Sequence, residues 1–319
     1  MSLISLLIAL AAERYLSSPF WQFNSYYRRY IKFIRRTRLL ESKFLSALGT
    51  LSLIFLPVVA VYGLLWLIDD SLLHLIFSTV ILIICFGCVN TRGSYKKYLM
   101  AAYRGEQSGC ESIHMQLLRG KNLPEMGFGQ TLVWLNYRYY IAIMLFFVFL
   151  GAPGVVFYRL VSTLAENPGN QDACAAPDDD EPVKEQQVAQ EEAEKETVSE
   201  TGETTDEESL AQQGIVREAA SPCRQFLFWL DWIPVRLTSF GYMLVGHFSK
   251  ALPVWLESLF DVNKQPSAIL VDVARKSEDL MVDSEDCTAE PCLLVRLAKR
   301  NLLLLLAVIS LLTLSGVIS

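Results

Sequence analysis

The 319-residue chain is 52% hydrophobic and only 19% charged, with a mean hydropathy of +0.30, which favours an integral membrane protein over a soluble one. Its net charge of −6 is distributed unevenly: residues 165–222 hold 17 acidic and 3 basic side chains, a net of −14, and the remainder sums to +8. The chain therefore divides into a basic, apolar body and one acidic insert. We expect membrane lipids among its partners and no nucleic acid.

The N-terminus joins a short apolar stretch to a basic one. Residues 1–12 are apolar, but Glu13 and Arg14 follow at once, and a membrane-spanning helix needs about 20 residues. No basic residue precedes the run, so a cleaved signal peptide is not indicated, and we predict a half-buried or interfacial helix. Residues 14–43 carry eight basic side chains against one acid, Glu41, and are expected to form an amphipathic segment.

Four apolar runs are long enough to be membrane helices, and they lie at 46–68, 71–89, 140–158 and 302–318. Asp69 and Asp70 leave room only for a tight turn, so the first two runs should form a helical hairpin. A fifth stretch, 226–256, is interrupted by charged residues and is ambiguous. Because an isolated strand cannot satisfy its backbone in lipid, we predict an all-α fold. The expected architecture is a polytopic membrane helical bundle with amphipathic cytoplasmic helices and a disordered acidic insert.

The distribution of Lys and Arg predicts the orientation. Residues 14–43 and the connection 90–139, with seven basic side chains against three acids, should both be cytoplasmic, which places Asp69 and Asp70 outside. If the run 140–158 then crosses once, the basic residues before the last run return to the cytoplasm only through a broken crossing within 226–256. This interpretation puts the acidic insert outside. A shallow re-entrant pair on one side is the alternative.

The acidic insert has few aromatic or β-branched residues and a large excess of one charge. Such a segment cannot bury enough apolar surface to offset its ordering entropy, so we predict a disordered linker, with an acidic docking tail as the alternative. It divides the chain into an N-terminal membrane region (1–164), the linker (165–222) and a C-terminal membrane region (223–319).

Common catalytic signatures are missing from the sequence. The pair Gly120-Lys121 lacks the upstream glycine and the Ser or Thr of a phosphate-binding loop. No HExxH occurs, and three scattered histidines do not indicate a metal site. We therefore expect no catalytic residue, no metal and no cofactor.

Two segments carry a resemblance to a known superfamily. The motif FYRLVSTL (157–164) and, beyond the insert, WLDWIPVRLT (229–238) resemble the CobD/CbiB superfamily of integral membrane synthases. Those enzymes attach an aminopropanol phosphate arm during cobalamin assembly. The superfamily has the motif "NTL" followed by an acid. In this chain Ser162 replaces the Asn of that motif and Ala165 replaces the acid. The superfamily's "GRDT" element is also missing from this sequence.

A second branch of that superfamily is more similar still. The run ending in Glu13-Arg14, TLVWLNYRYY (131–140) and LDWIPVRLTSFGYMLVGHFSKALPVWLESL (230–259) resemble the AmpE family. This resemblance implies an inner-membrane regulatory protein associated with β-lactamase induction in Gram-negative bacteria. It also implies a functional link to a muropeptide amidase.

Charged residues inside apolar sequence are the candidate site. Asp231, Pro234 and Arg236 lie within six residues, and intramembrane ionisable groups are functional candidates. One hypothesis is a scaffold in which Pro234 breaks the helix and Asp231 pairs with Arg236. The other is a cavity for an anionic or phosphate-bearing ligand. The full set of hypothetical binding residues is Asp231, Arg236, Arg159, Arg138, Asn136 and Glu13.

Two functions of different classes follow from the sequence. The first is a regulatory or signalling protein of the inner membrane, without turnover, acting in β-lactamase induction and cell-wall recycling. The alternative is a membrane enzyme or transporter of the CobD/CbiB type acting on an amphiphilic phosphate- or nucleotide-bearing substrate. The lost acidic positions favour the first, because metal-assisted phosphoryl chemistry needs carboxylates.

Overall fold

A computed structural model describes residues 2–13, 15, 21–36, 46–86, 89–166, 203–278 and 288–316. Within these ranges the chain is helical and contains no β-strand, which confirms the all-α prediction. The predicted disorder of the acidic insert concerns mainly 167–202, which lie outside the described residues.

The described part of the chain folds into a series of helices joined by short connections. In chain order they are α1 (Ser2–Glu13), α2 (Phe23–Arg36), α3 (Ser46–Leu67), α4 (Ser71–Cys85), α5 (Val89–Tyr103), α6 (Gln107–Lys121), α7 (Phe128–Asn136), a π-helical turn (Tyr137–Ile141), α8 (Ala142–Glu166), α9 (Glu203–Val245), α10 (Phe248–Leu259), α11 (Pro266–Ser277) and α12 (Ala289–Leu314). Helix α9 thus begins inside the segment 165–222 that was expected to be disordered.

Helices α1, α3 and α4 form one side of the bundle. Helix α1 buries Leu6 and Ala9 and exposes Leu7 and Ile8, as predicted for a half-buried helix. Helices α3 and α4 are joined at the predicted turn, where the Asp70 carboxylate accepts a hydrogen bond from the Leu72 N–H at 3.0 Å and caps α4. Both helices pack against α8, and α1 packs against α4.

Helix α8 folds back on itself at Gly151. This residue has φ 70° and ψ −163°, a conformation that is essentially restricted to glycine, and Pro153 then opens the second helical arm. The arms are so close at the bend that a Cβ on Gly154 would clash with the Leu150 Cβ.

The fold-back is evident from long-range contacts. Arg138 Nη1 lies 2.8 Å from Glu166 Oε1, although 28 residues of straight helix would separate them by roughly 42 Å. The prediction that 140–158 crosses a membrane once is therefore wrong, because both ends of the hairpin lie on the same side. The predicted position of the acidic insert outside the membrane depended on that single crossing and loses its support.

Helix α9 runs without interruption through Pro234, so the predicted break at that residue is also wrong. It packs against α8, α10, α11 and α12 and is the central element of the C-terminal region. Helix α10 turns back along α9 after His247, whose N–H donates to the Ser277 carbonyl at 2.7 Å and so joins the start of α10 to the end of α11.

Two segments among the described residues are long and apolar enough to cross a membrane, Phe128–Glu166 and Ala289–Leu314. The first of these is the segment bent at Gly151. Its exposed tip consists of Phe149 and Leu150, two large apolar side chains.

Candidate functional site

Asp231 is the centre of a buried polar network. Its carboxylate is almost fully buried in α9, and Oδ1 accepts hydrogen bonds from the hydroxyl groups of Tyr137 at 2.8 Å and Tyr158 at 3.0 Å. Oδ2 accepts from Arg138 Nη2 at 3.2 Å. The π-helical turn, the second arm of α8 and α9 therefore meet at one carboxylate.

Arg138 connects Asp231 to a second buried carboxylate, Glu166, at the end of α8. One guanidinium nitrogen donates to each acid, and both acids and the arginine are buried. The other oxygen of Glu166 accepts from the Tyr139 hydroxyl at 3.0 Å, and that hydroxyl accepts from Lys121 Nζ at 2.6 Å. Two acids and two bases thus compensate one another, as buried charges require.

The π-helical turn explains how three neighbouring side chains reach these partners. Tyr137, Arg138 and Tyr139 lie in this turn, whose wider i→i+5 geometry inserts an extra residue and redirects the side chains that follow. Tyr137 and Arg138 bind Asp231, whereas Tyr139 binds Glu166.

Arg159 is buried beside the network but does not reach Asp231. Its guanidinium carbon lies 4.6 Å from the centroid of the Tyr139 ring and 5.1 Å from that of Phe23. Its Nε is buried without a hydrogen-bond partner, and no ion pair of Arg159 is found in the described part of the chain.

Glu13 belongs to a separate ion pair that ties α1 to α5. It pairs with Arg92, and it also accepts a hydrogen bond from the Tyr140 hydroxyl at 2.8 Å. Partial burial opposes the charged form of Arg92, but the Tyr140 phenol and the Glu13 carboxylate outweigh it, so the pKa of Arg92 lies above its ordinary value.

Arg236 does not pair with Asp231, and that predicted pairing is wrong. Its guanidinium instead caps the C-terminal end of α10, where it donates to the carbonyl oxygens of Leu259, Ser258 and Asp261 at 2.8, 3.1 and 2.7 Å. A cation at a helix C-terminus satisfies carbonyls that have no partner within the helix. Asp231 and Arg236 point to different elements because α9 continues through Pro234 as a helix.

Asn136 ends α7, and its Oδ1 is buried without a partner in the described part of the chain. Of the six candidates, the network itself contains Asp231 and Arg138, with Arg159 next to it. Glu13, Arg236 and Asn136 lie in other surroundings.

Sequence reasoning missed Glu166, Lys121 and three tyrosines of the network. Glu166 falls within the range assigned to the acidic insert, although it directly follows Ala165, the position at which the superfamily pattern has an acid. The tyrosines of NYRYY (136–140) were visible as phenols inside apolar sequence, where a buried hydroxyl needs a partner. Among the described residues, no three His, Cys, Asp or Glu side chains come together as potential metal ligands.

These features define a class: an all-helical, largely apolar protein whose helices enclose a network of carboxylates, cations and phenols. The chain belongs to the AmpE family, because the family described as "Regulatory signalling modulator protein AmpE" matches residues 1–168 and 208–319. The resemblance to that family is confirmed, whereas the wider CobD/CbiB relationship stays a prediction.

One curated relative is "Protein AmpE" of Shigella flexneri, which is 38% identical over 89 residues. The match covers 27% of this chain, and the chain spans 30% of the length of that relative. No solved structure matches the chain.

Proposed function

We propose that this protein is an inner-membrane regulatory protein of β-lactamase induction and cell-wall recycling that acts without turnover. The observation that carries this proposal is the family match, which extends over both membrane regions and omits only 169–207 within the acidic insert.

A multi-pass position in the inner membrane is supported by the surface of the helices. Helix α9 exposes Trp229, Ile233 and Leu237 at one-turn spacing, and α3 and α4 also carry exposed apolar side chains. Such continuous apolar faces suit lipid contact. The excess of basic residues in 14–43 supports a cytoplasmic position for the N-terminal region.

The state of the carboxylates supports a role without turnover. Asp231 accepts three hydrogen bonds, and both oxygens of Glu166 are occupied by Arg138 and Tyr139. A carboxylate whose oxygens are occupied in this way has few lone pairs left for a metal. The network suits a device that holds helices in one arrangement and responds to an anionic amphiphilic ligand.

One observation favours the alternative, a membrane enzyme or transporter of the CobD/CbiB type. Glu166 supplies a carboxylate one residue after the position where the superfamily pattern has its acid. Gene neighbourhood discriminates between the two: an adjacent muropeptide amidase gene supports regulation, and adjacent cobalamin genes support the alternative.

Complementation tests the regulatory proposal directly. A Gram-negative host with inducible β-lactamase and no copy of its own should regain its normal induction when this chain is expressed. The matched control is Glu111→Gln, a change on the exposed face of α6, which should complement equally well. Failure to restore induction by a chain that reaches the inner membrane in normal amount would refute the proposal.

The link to a muropeptide amidase is tested in a second host. If the two proteins act in the same recycling route, the effect of this chain should change when the amidase gene is deleted. An effect of the same size in both hosts would remove the link.

A further inference from the structure

Arg159 is a buried cation that forms no ion pair within the described part of the protein. The residue is only 5% exposed, and it lies in the second arm of α8, away from either end of the hairpin. Neither Asp231 nor Glu166 pairs with it, since both acids are bound by Arg138.

The surroundings of Arg159 hold the side chain, but its buried Nε–H has no hydrogen-bond partner among the described residues. Phe23 from α2 and Tyr139 from the π-helical turn lie against the guanidinium. Aromatic rings attract the positive charge, but they offer no oxygen acceptor. A guanidinium presents five donors in a rigid fork that matches the oxygens of a phosphate or carboxylate group.

The charges of the network do not balance among the described residues. Its described buried basic residues are Lys121, Arg138 and Arg159, and its described buried acids are Glu166 and Asp231. The neighbouring Glu13–Arg92 pair is neutral as a unit. Within the described part of the network one positive charge is therefore in excess, and uncompensated buried charge is costly.

We propose that Arg159 binds a phosphoryl oxyanion that carries a single negative charge, with the diester phosphate of an anionic lipid-like amphiphile as its natural form. A phosphodiester has one ionisable oxygen and carries one negative charge, whereas inorganic phosphate has a second ionisable proton and at neutral pH carries between one and two negative charges. The diester therefore balances the network without an excess of negative charge. This inference names the ligand of the proposed regulatory function and rests on that proposal only for its biological meaning.

Melting temperatures of the full chain in detergent micelles test this inference. We compare micelles of a maltoside detergent, which contains no phosphate, the same micelles with added phosphatidylglycerol, and the same micelles with added inorganic phosphate. Phosphatidylglycerol should raise the melting temperature of the wild-type protein by several degrees, because a ligand that binds only the folded state stabilises it. Arg159→Met should abolish that rise.

The same substitution should not lower the melting temperature when no phosphate group is present. In the maltoside detergent alone, Arg159→Met should melt at or above the wild-type temperature, because it removes a buried charge that has no ion-pair partner among the described residues. The control is Arg29→Gln on the exposed face of α2, which removes a surface charge and should keep the response to phosphatidylglycerol. Arg159→Lys keeps the charge without the fork and should give a reduced response.

The arms of the experiment separate the sources of the anion. A response to phosphatidylglycerol alone assigns the site to a lipid headgroup, and an equal response to inorganic phosphate assigns it to a free phosphate. No response in either arm, or an Arg159→Met variant that melts far below wild type and still responds, overturns the inference. Complementation of β-lactamase induction is measured separately from the melting temperature. If the protein responds to phosphatidylglycerol through Arg159 but does not restore induction, this inference stands and the proposed function is refuted.

Discussion

At the scale of single residues, Arg138 is the side chain on which the buried network depends most. It is the one described cation that contacts both Asp231 and Glu166, so Arg138→Met leaves two buried carboxylates poorly compensated. Removing one partner of a buried ion pair costs about 3–5 kcal/mol, and we expect a loss of free energy of unfolding of at least that order. Thermal or denaturant unfolding of the purified protein measures it.

The matched control for Arg138→Met is Arg300→Met. Arg300 forms an ion pair with Glu278 at 3.7 Å, but half of its side chain is exposed. Exposed pairs contribute about 0–1 kcal/mol, so this variant should unfold almost like wild type. Equal losses from the two arginines would show that the network around Arg138 is hydrated.

Asp231 and Arg236 should behave as independent residues, although they are only five positions apart. They share no hydrogen-bond partner, since Arg236 binds carbonyl groups at the end of α10. We predict that Asp231→Asn and Arg236→Met destabilise additively, within about 0.3–0.5 kcal/mol, in a double-mutant cycle. Recovery of stability in the double variant would restore the rejected pairing.

At the scale of elements, the bend in α8 is the feature that brings the network together. Gly151 has φ 70° and ψ −163°, so Gly151→Ala should lower the free energy of unfolding by about 1–3 kcal/mol through backbone strain alone. Space is not the reason, because a Cβ there would meet Pro153 Cδ at an ordinary 3.7 Å.

Gly93 provides the matched control for that substitution. It lies in α5, and a Cβ would find no heavy atom within 4 Å. Because alanine is a better helix former than glycine by about 1 kcal/mol, Gly93→Ala should stabilise or leave the protein unchanged. The hairpin explanation would fail if both alanine variants unfolded alike.

The same bend marks the limit of what could be predicted from the sequence. Apolar runs of membrane length predicted the helices and the turn at Asp69 and Asp70, because hydrophobicity and length are local properties. A run of apolar residues has the same composition whether it crosses once or folds back, so composition alone could not reveal the hairpin in 140–158. The GAPG stretch around Gly151 was the only local signal of a turn.

The candidate site was predictable as a set of residue types but not as a set of pairs. Charged residues in apolar sequence singled out Asp231, Arg138 and Arg159, and all three side chains are buried. The partners depend on which helices pack together, and α8 had to fold back before Glu166 could reach Arg138. Proximity in sequence suggested Arg236 instead, but its side chain is directed to α10 by the helical continuation of α9.

At the scale of the whole molecule, the described polar groups concentrate where α1, α5, the π-helical turn, α8 and α9 meet. The Glu13–Arg92 pair and the Asp231–Arg138–Glu166 network both involve residues of the π-helical turn. In the proposed orientation this region adjoins the basic connection 90–139 at the cytoplasmic side. The apolar hairpin tip at Phe149 and Leu150 then points into the bilayer.

Cysteine labelling in intact cells tests that orientation. In a variant without native cysteines, Asp69→Cys should react with a membrane-impermeant reagent added from outside, and Lys97→Cys should react only after the membrane is opened. Asp69 is preferable to Asp70 because the Asp70 carboxylate caps α4, and loss of a cap costs about 1 kcal/mol. Both positions are exposed, so burial does not limit the reaction. Labelling of Lys97→Cys from outside would reverse the orientation, because the seven basic residues of 90–139 would then face away from the cytoplasm.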